Sequence, residues 1–409
     1  MTIIAPTVRH VTGGVDTHGE IHVAAVLDST TAVELADRSF AADAAGYHEL
    51  EVWLKGFGVV DAVGVEATGS WGAGLTRHLS GRDVQVVEVD RPDRKARRFE
   101  GKTDATDARA AARAVIARRA RAVPKSRDGN VEALRAIEVV CHGAVKDRTR
   151  AINQFHALVV SAPESLRQQF RRLTLTKQLA KARRFADRDS DDVVCNETRI
   201  ALKELARRIG FLDEHIHRLE TRLNTLTAQA APALLGMFAV GPHVAAQLLA
   251  AAGDNPHRMT SEASFAKLCG ACPIPASSGK TQRHRLNRGG DRRANNALHT
   301  IVLVRLRYHP PTRTYAARRR TEGKTTAEIA RCLKRFVARE AYQAITNPPD
   351  DLITGTELRA LRNQHGLSLT HVCNAIRTTP ITLSRIERGL AHDTNLAQAA
   401  HTWILENNP

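Results

Sequence analysis

Four carboxylates stand apart in a chain that carries 60 Lys+Arg against 43 Asp+Glu, a formal net charge of +17. Asp16 lies in Gly14-Val15-Asp16-Thr17-His18, and Glu66 in Val63-Gly64-Val65-Glu66-Ala67-Thr68-Gly69. Asp104 and Asp107 share Lys102-Thr103-Asp104-Ala105-Thr106-Asp107-Ala108. Asp16 and Glu66 each follow an apolar run, where an acid is costly unless it has partners. Asp104 and Asp107 are three residues apart, on one face of a helix. Two acids at strand ends and two on a helix face suffice to hold a pair of divalent cations. Beside a phosphodiester, such a pair polarises the phosphoryl oxygen and stabilises the attacking and leaving oxygens. Singly, each acid has a plainer role: a turn cap at Asp16, a solvated loop acid at Glu66, dipole-favoured helix starts at Asp104 and Asp107. Together they favour a site that cuts nucleic acid, with Lys102 and Arg109 beside it as phosphate contacts or charge partners.

A second candidate is Ser277-Ser278-Gly279, followed by a dense basic run. A serine hydroxyl there could attack a phosphodiester and keep the bond energy in a phosphoserine for rejoining. Lys280, Arg283, Arg285, Arg288, Arg292 and Arg293 would bind phosphate and neutralise the developing charge. Alone, Ser-Ser-Gly is a common loop, and neighbours cannot be separated by spacing; Ser278, directly before Gly279, is preferred over Ser277.

The charge is clustered. Residues 91–127 hold 13 Lys/Arg against 4 Asp/Glu, and residues 280–335 hold 16 against 3. Such runs point to a polyanionic partner bound in a salt-dependent way. Aromatics make up 4% of the chain, so base stacking is not expected to dominate. The six cysteines contain one close pair, Cys269-Gly-Ala-Cys272. A lone CxxC is a weak zinc signal, and two small buried residues at a helix-to-loop junction are the expected reading. No signal peptide and no apolar stretch of spanning length is seen, so a cytoplasmic protein without membrane contact is expected.

Elements that could position these residues follow in order. Val11–Leu27 reads as a hairpin turning at Thr17–Glu20, and Ala44–Phe57 as an amphipathic helix. Val59–Val65 is a buried strand ending at Glu66, Trp71–Ser80 a helix, Val84–Val89 a strand, and Asp104–Arg121 an Ala- and Arg-rich helix. This β-β-α-β-α-β-α order predicts a mixed sheet flanked by helices, as in ribonuclease-H-like domains, over residues 10–125. Residues 130–230 read as helical. There Leu205, Ile209, Leu212, Ile216, Leu219, Leu223 and Leu226 form an a/d seam. The seam serves either self-association or an intramolecular hairpin with Leu134, Ile137, Cys141 and Ile152.

Residues 232–345 form the next unit. Its Phe238–Ala250 segment, with Gly241-Pro242 at the turn, resembles a helix-hairpin-helix that grips DNA backbone through turn amides. After Asn347-Pro348-Pro349-Asp350, residues 351–409 resemble the helix-turn-helix of the Cro/phage-repressor family. Leu369 starts the scaffold helix, and Thr379–Arg388 is the recognition helix, with Thr382, Ser384 and Arg385 as nucleic-acid contacts. Asn374-Ala375-Ile376-Arg377 departs from that pattern, since a glycine commonly makes the turn.

Over roughly residues 10–345 the combined motifs resemble the DEDD insertion-sequence transposases, bridge-RNA-guided serine recombinases related to the pilin-gene invertase. The matching residues are Gly14–His18, Val65–Gly69, Lys102–Ala108, Gly241-Pro242, Cys269–Gly279 and Arg285–Gly290. The resemblance implies a RuvC-like domain in which Asp16, Glu66, Asp104 and Asp107 hold Mg²⁺, with Mn²⁺ as the alternative. A helical coiled-coil linker follows, then a mostly helical transposase domain carrying the attacking serine. It further implies donor and target DNA, a guide noncoding RNA, and a homo-oligomer from dimer to tetramer that joins the acids of one protomer to the serine of another. The repressor-like module is not a usual part of that family. The function expected is an insertion-sequence recombinase. A metal-dependent junction nuclease using water and a non-catalytic DNA-binding regulator are the alternatives.

Overall fold

The computed structural model describes residues 8–89, 103–186, 192–279, 284–285, 287–348, 353, 355–388 and 393–407. The chain divides into two compact units. One comprises Met1–Asp128 with Gly253–Thr260, the other Gly129–Ala252 with Ser261–Pro409.

In the first unit, β1 (His10–Thr17) and β2 (Ile21–Asp28) form the expected antiparallel hairpin. A third strand, β3 (Glu34–Ala41), continues the sheet beyond β2 and was not expected from the sequence. Its Asp37, Arg38 and Ser39 are exposed, so it lacks a buried alternation, and its charges suit an edge strand. The chain continues through α1 (Ala44–Lys55), β4 (Val59–Glu66), α2 (Ala73–Ser80), β5 (Val86–Val89) and α3 (Asp104–Ile116). Sheet order is β3-β2-β1-β4-β5, with β4 parallel to β1 and to β5. Each parallel pairing needs a crossover, and α1 and α2 supply them.

Alternation along the strands divides the core. Val11, Val15, Val63 and Val65 bury against Leu50, Leu54, Leu75 and Leu79 on one face. On the other, Ala25 and Leu27 meet Ala108 and Ala112 of α3. Gly14 and Gly64 face α3 so closely that a methyl on Gly14 would stand 2.1 Å from the Ala108 carbonyl oxygen. A methyl on Gly64 would stand 2.9 Å from that of Ala111. The segment from Gly253 joins this unit through Asn255. Its Oδ1 accepts from the Ser126 amide at 3.1 Å, and its Nδ2 donates to the Pro124 carbonyl at 3.0 Å.

The second unit is mostly helical. α4 (Asn130–Ser161), α5 (Leu175–Arg183) and α6 (Val193–Ala230) come first. Leu202, Ala206 and Ile209 of α6 pack with Ala151 and Phe155 of α4. Arg148 pairs with Asp213 nearer the middle, and Glu220 acts on Cys141 further along. Rising numbers on one helix therefore meet falling numbers on the other. The seam is an antiparallel hairpin within one chain, which supplies the intramolecular partner for Ile209, Leu212, Ile216 and Leu223. Only one helical turn, Pro232–Leu235, precedes α7 (Pro242–Ala252). The expected helix-hairpin-helix is shortened on its first side because Pro232 opens that turn and Gly236 caps it.

Then come α8 (Glu262–Leu268), the two-residue strands β6 (Ile274–Pro275) and β7 (His284–Arg285), α9 (Arg292–Tyr308), α10 (Pro310–Thr321) and α11 (Thr326–Thr346). The C-terminal segment holds α12 (Gly355–Gln364), α13 (Leu369–Ala375), α14 (Pro380–Glu387) and α15 (Thr394–Asn407) around Leu358, Val372, Leu383, Ile386, Ala400 and Ile404. Buried Arg362 holds buried Glu387 bidentately at 2.6 and 2.8 Å. Between α13 and α14, Arg377 itself takes the left-handed conformation, φ 53°, that a glycine commonly fills. Among the described residues no helix is long and apolar enough to cross a membrane.

Because α3 rests directly on Gly14, Gly14→Ala should displace the helix or strain the sheet, costing about 3 kcal/mol. Chemical denaturation of the full chain checks this, and an unchanged midpoint would refute the close approach.

Candidate active site

Side chains two apart on a strand point to the same face. Gly14 and Gly64 face α3, so Asp16 and Glu66 lie on that face at the ends of β1 and β4. The pairing of Val15 with Val65 sets the two acids side by side in register. Thr17 Oγ1 ties the strand ends together by donating to the Glu66 backbone carbonyl at 3.1 Å. Helix α3 starts with Thr103, whose hydroxyl accepts from the Thr106 amide, so Asp104 and Asp107 fall in its first turn. Asp16 and Asp107 are buried, at 8% and 3% exposure, while half of the Asp104 side chain is open.

These acids feel one another. Burial raises the Asp16 carboxyl above its ordinary value of 3.8; His18 opposes the rise, and the charges of Asp107 and Asp104 add to it. His18 Nε2 stands 3.1 Å from Asp16 Oδ2 and 3.5 Å from Asp104 Oδ1. The histidine was not among the residues expected to act. The available signal was its place two residues after Asp16, beyond a strand end. Carboxylate oxygens of a partly buried set, with Asp107 and Asp104 repelling Asp16, are the hard donors that Mg²⁺ or Mn²⁺ takes, and a divalent cation would relieve that repulsion. Arg109 turns elsewhere: its guanidinium pairs with Glu34 at 3.0 Å and donates to Thr106 Oγ1 at 3.0 Å. Lys102 lies outside the described residues.

A second cluster in this unit, His48, Glu51 and His78, also brings ligand atoms together. There, buried Glu51 already accepts from Lys55 at 2.6 Å and contacts His78 at 2.9 Å.

In the second unit, Ser277 and Ser278 are exposed between β6 and β7, next to Gly279 at φ 55°. The base of this hairpin is tightly closed. Gly270 and Gly290 have φ of 63° and 88°, and a methyl on Gly290 would meet the Leu268 carbonyl oxygen at 2.5 Å. The Asp291 amide donates to that carbonyl at 2.7 Å, and Asn295 Nδ2 donates to the Cys269 carbonyl at 2.8 Å. Cys269 is buried and Cys272 half-buried, both free thiols; the motif makes a close turn. Arg285, Arg288 and Arg292 are exposed. Arg293 pairs with Glu138, which is 1% exposed, so its charge anchors α9 to α4. Lys280 and Arg283 lie outside the described residues. On α14, Arg385 is exposed while Thr382 Oγ1 engages Thr379 Oγ1 at 2.8 Å and Ser384 is half-buried. Ile381, on the same helix, is 74% exposed and was not expected as a contact.

Two stretches of the chain match known families. Residues 13–162 match a family model for DEDD transposases of the IS110 type, described as a transposase. Residues 231–317 match the model of the IS116/IS110/IS902 transposase family. The chain is 30% identical over 179 residues to an insertion element IS110 protein of 43.6 kDa from Streptomyces coelicolor, covering 40% of this chain and 44% of that one. It is 34% identical over 103 residues to an insertion element IS900 protein of 42 kDa from Mycobacterium paratuberculosis, covering 25% and 26%. The chain thus spans less than half the length of these relatives.

The raised carboxyl at Asp16 has a signed consequence. A folded value above the unfolded one favours folding only at low pH, and the advantage is lost as pH rises through the folded value. Ionised Asp16 therefore destabilises the cation-free fold at neutral pH. In chelator, Asp16→Asn should raise the melting temperature at pH 7, and the gain should shrink as pH falls toward 3.8. Added Mg²⁺ should stabilise the parent protein more than the variant. A lowered melting temperature for Asp16→Asn in chelator at pH 7 would contradict the electrostatics.

Proposed function

We propose, on the premise that the chain belongs to the IS110 family of insertion-sequence transposases, that it cuts and rejoins DNA by serine transesterification assisted by cations at the four acids. The observation that carries this reading is the gathering of Asp16, Asp104 and Asp107 within electrostatic reach of one another, with Glu66 on the adjoining strand end. The sheet order β3-β2-β1-β4-β5 with α3 across it is compatible with a ribonuclease-H-like, RuvC-like nuclease domain.

Asp16, Glu66, Asp104 and Asp107 would hold Mg²⁺, or Mn²⁺. The bound cation neutralises phosphate charge and lowers the barrier to oxygen attack on phosphorus. The serine hydroxyl, Ser278 in preference to Ser277, loses its proton and forms an Oγ–P bond while one P–O ester bond to the sugar breaks. The departing sugar oxygen takes up a proton, and the strand stays joined to the protein. Attack by the hydroxyl of an exchanged strand reverses the step and frees the serine, with no net loss of ester bonds. The exposure of Ser277 and Ser278 suits a nucleophile that must meet a polymer, and the closed base fixes where the segment leaves the fold.

DNA, donor and target, is the substrate in this reading. The clustered basic charge and the family resemblance also support a guide noncoding RNA, and the resemblance supports a working assembly of dimer to tetramer. The C-terminal helix-turn-helix recruits the enzyme to nucleic acid through Arg385 on α14.

Asp104→Asn with Asp107→Asn should abolish strand cleavage, a loss of at least about 100-fold. Wild-type protein with DNA should yield a denaturation-resistant, protease-sensitive adduct that Ser277→Ala with Ser278→Ala removes. Its persistence in the double variant would mean that a residue other than these serines attacks, and cleavage by the parent protein without any adduct would make water the nucleophile. Nucleic acid that copurifies with the full chain should be sensitive to RNase; purely DNase-sensitive material would count against a guide RNA.

A further inference from the structure

Beside the serine hairpin lies an open cleft of about 1030 Å³. Arg285 of β7, Arg318 of α10, and Lys324, Arg331 and Lys334 at or on α11 all line it. Glu328 is the one carboxylate among its lining residues, and it is already engaged. Its side chain accepts from the Thr325 amide and hydroxyl, each at 2.8 Å, as the capping box of α11. Lys334 is half-buried, and burial holds its ammonium below its usual range without an acid to offset it. Among the described residues no carboxylate pairs with it; its Nζ donates to Asn295 Oδ1 at 2.9 Å. The same Asn295 closes the base of the hairpin through the Cys269 carbonyl. One side chain thus joins a desolvated cation to the support of the exposed serines. A half-buried cation facing a cleft without a counter-ion among the described residues is a place made for an anion. The cleft is far larger than one phosphate, and Tyr315, Phe336 and Pro273 give it apolar wall beside the charges.

We infer that this cleft is a phosphodiester-strand site, in which Lys334 and Arg331 hold the backbone of the DNA strand presented to the serine hairpin. The choice of DNA rests on the transesterification reading; the anion-binding character of the cleft does not. Lys334 and Arg331 act as positioning residues, because neither touches the reacting oxygen. The apolar wall carries sugar, and the cations each take one phosphate.

The test is the salt dependence of binding by full-length protein to a fluorescein-labelled mixed-sequence DNA duplex, followed by anisotropy. Each lost phosphate contact should lower the slope of log affinity against log salt by about 0.9. Lys334→Gln with Arg331→Gln should therefore lower it by about 2 and weaken binding about tenfold or more near physiological salt. Lys334→Arg should restore most of the loss. Arg331 is exposed, so Arg331→Gln alone offers a variant with an intact core and an expected slope change of about 1. An unchanged slope and affinity in correctly folded variants overturns the site. So does a loss confined to an RNA duplex of the same sequence. Ser277→Ala with Ser278→Ala should bind the DNA normally. If the covalent adduct survives in that variant, the serine reading fails, while a binding defect in the cleft variants still upholds the cleft.

Discussion

The first unit depends on one steric permission, the near-contact of α3 with the sheet at Gly14 and Gly64. A methyl on Gly14 would overlap the helix backbone, and one on Gly64 would crowd it. With glycine at both places, the small face of α3, Ala108, Ala111 and Ala112, settles flat on β1 and β4. That contact sets the height of the helix above the strands, and the height sets where its first turn arrives. Asp104 and Asp107 come to Asp16 and Glu66 because the glycines two residues earlier on the same face let the helix down. The acids and the glycines are one device: a bulkier sheet surface would keep the fold class and lose the site.

The serine hairpin is supported by the same means. Gly270 and Gly290 bring two turns into backbone contact, where side chains would force them apart. Asn295 and the Asp291 amide then lock the carbonyls left there. Ser277 and Ser278 are exposed beyond that base. This division of labour, a rigid root and an open tip, suits attack on a flexible polymer, because orientation comes from the root and access from the tip.

How far these features could be read in advance depended on the range of the interactions. Strand ends, helix starts and turn glycines are local, so β1, β2, β4 and α3 were legible, as was the face shared by Asp104 and Asp107. β3 was not, because an edge strand with Asp37, Arg38 and Ser39 exposed has no buried alternation to read. The heptad seam on α6 was visible, and so was a hairpin partner in Leu134, Ile137, Cys141 and Ile152, but the choice between that partner and another chain was not: a narrow apolar stripe fits both. Long-range convergence was the hardest to see. His18 reaches Asp104 across 86 positions of chain, and Lys334 reaches Asn295 across 39. Neither pair leaves a spacing that sequence alone would mark.

The same distinction decides what the excess of arginine means. A count treats each guanidinium as a phosphate contact, yet several are committed to the fold. Arg109 holds Glu34, Arg293 holds buried Glu138, and Arg362 holds buried Glu387. Arg305 is itself buried and serves Glu340 and the Phe238 carbonyl. Each of these charges offsets the cost of burying an acid or satisfies a backbone oxygen, and withdrawing one toward DNA would expose that cost. Cations without such duties are therefore the informative ones. Arg285 lies open to solvent, and Lys334 is half-buried at an open cleft with, among the described residues, an amide oxygen as its partner. A charge that the fold does not need for itself, and that is costly to leave uncompensated, is best explained by a ligand that completes it. Among the described residues, the cations free of such duties are therefore fewer than the net charge suggests.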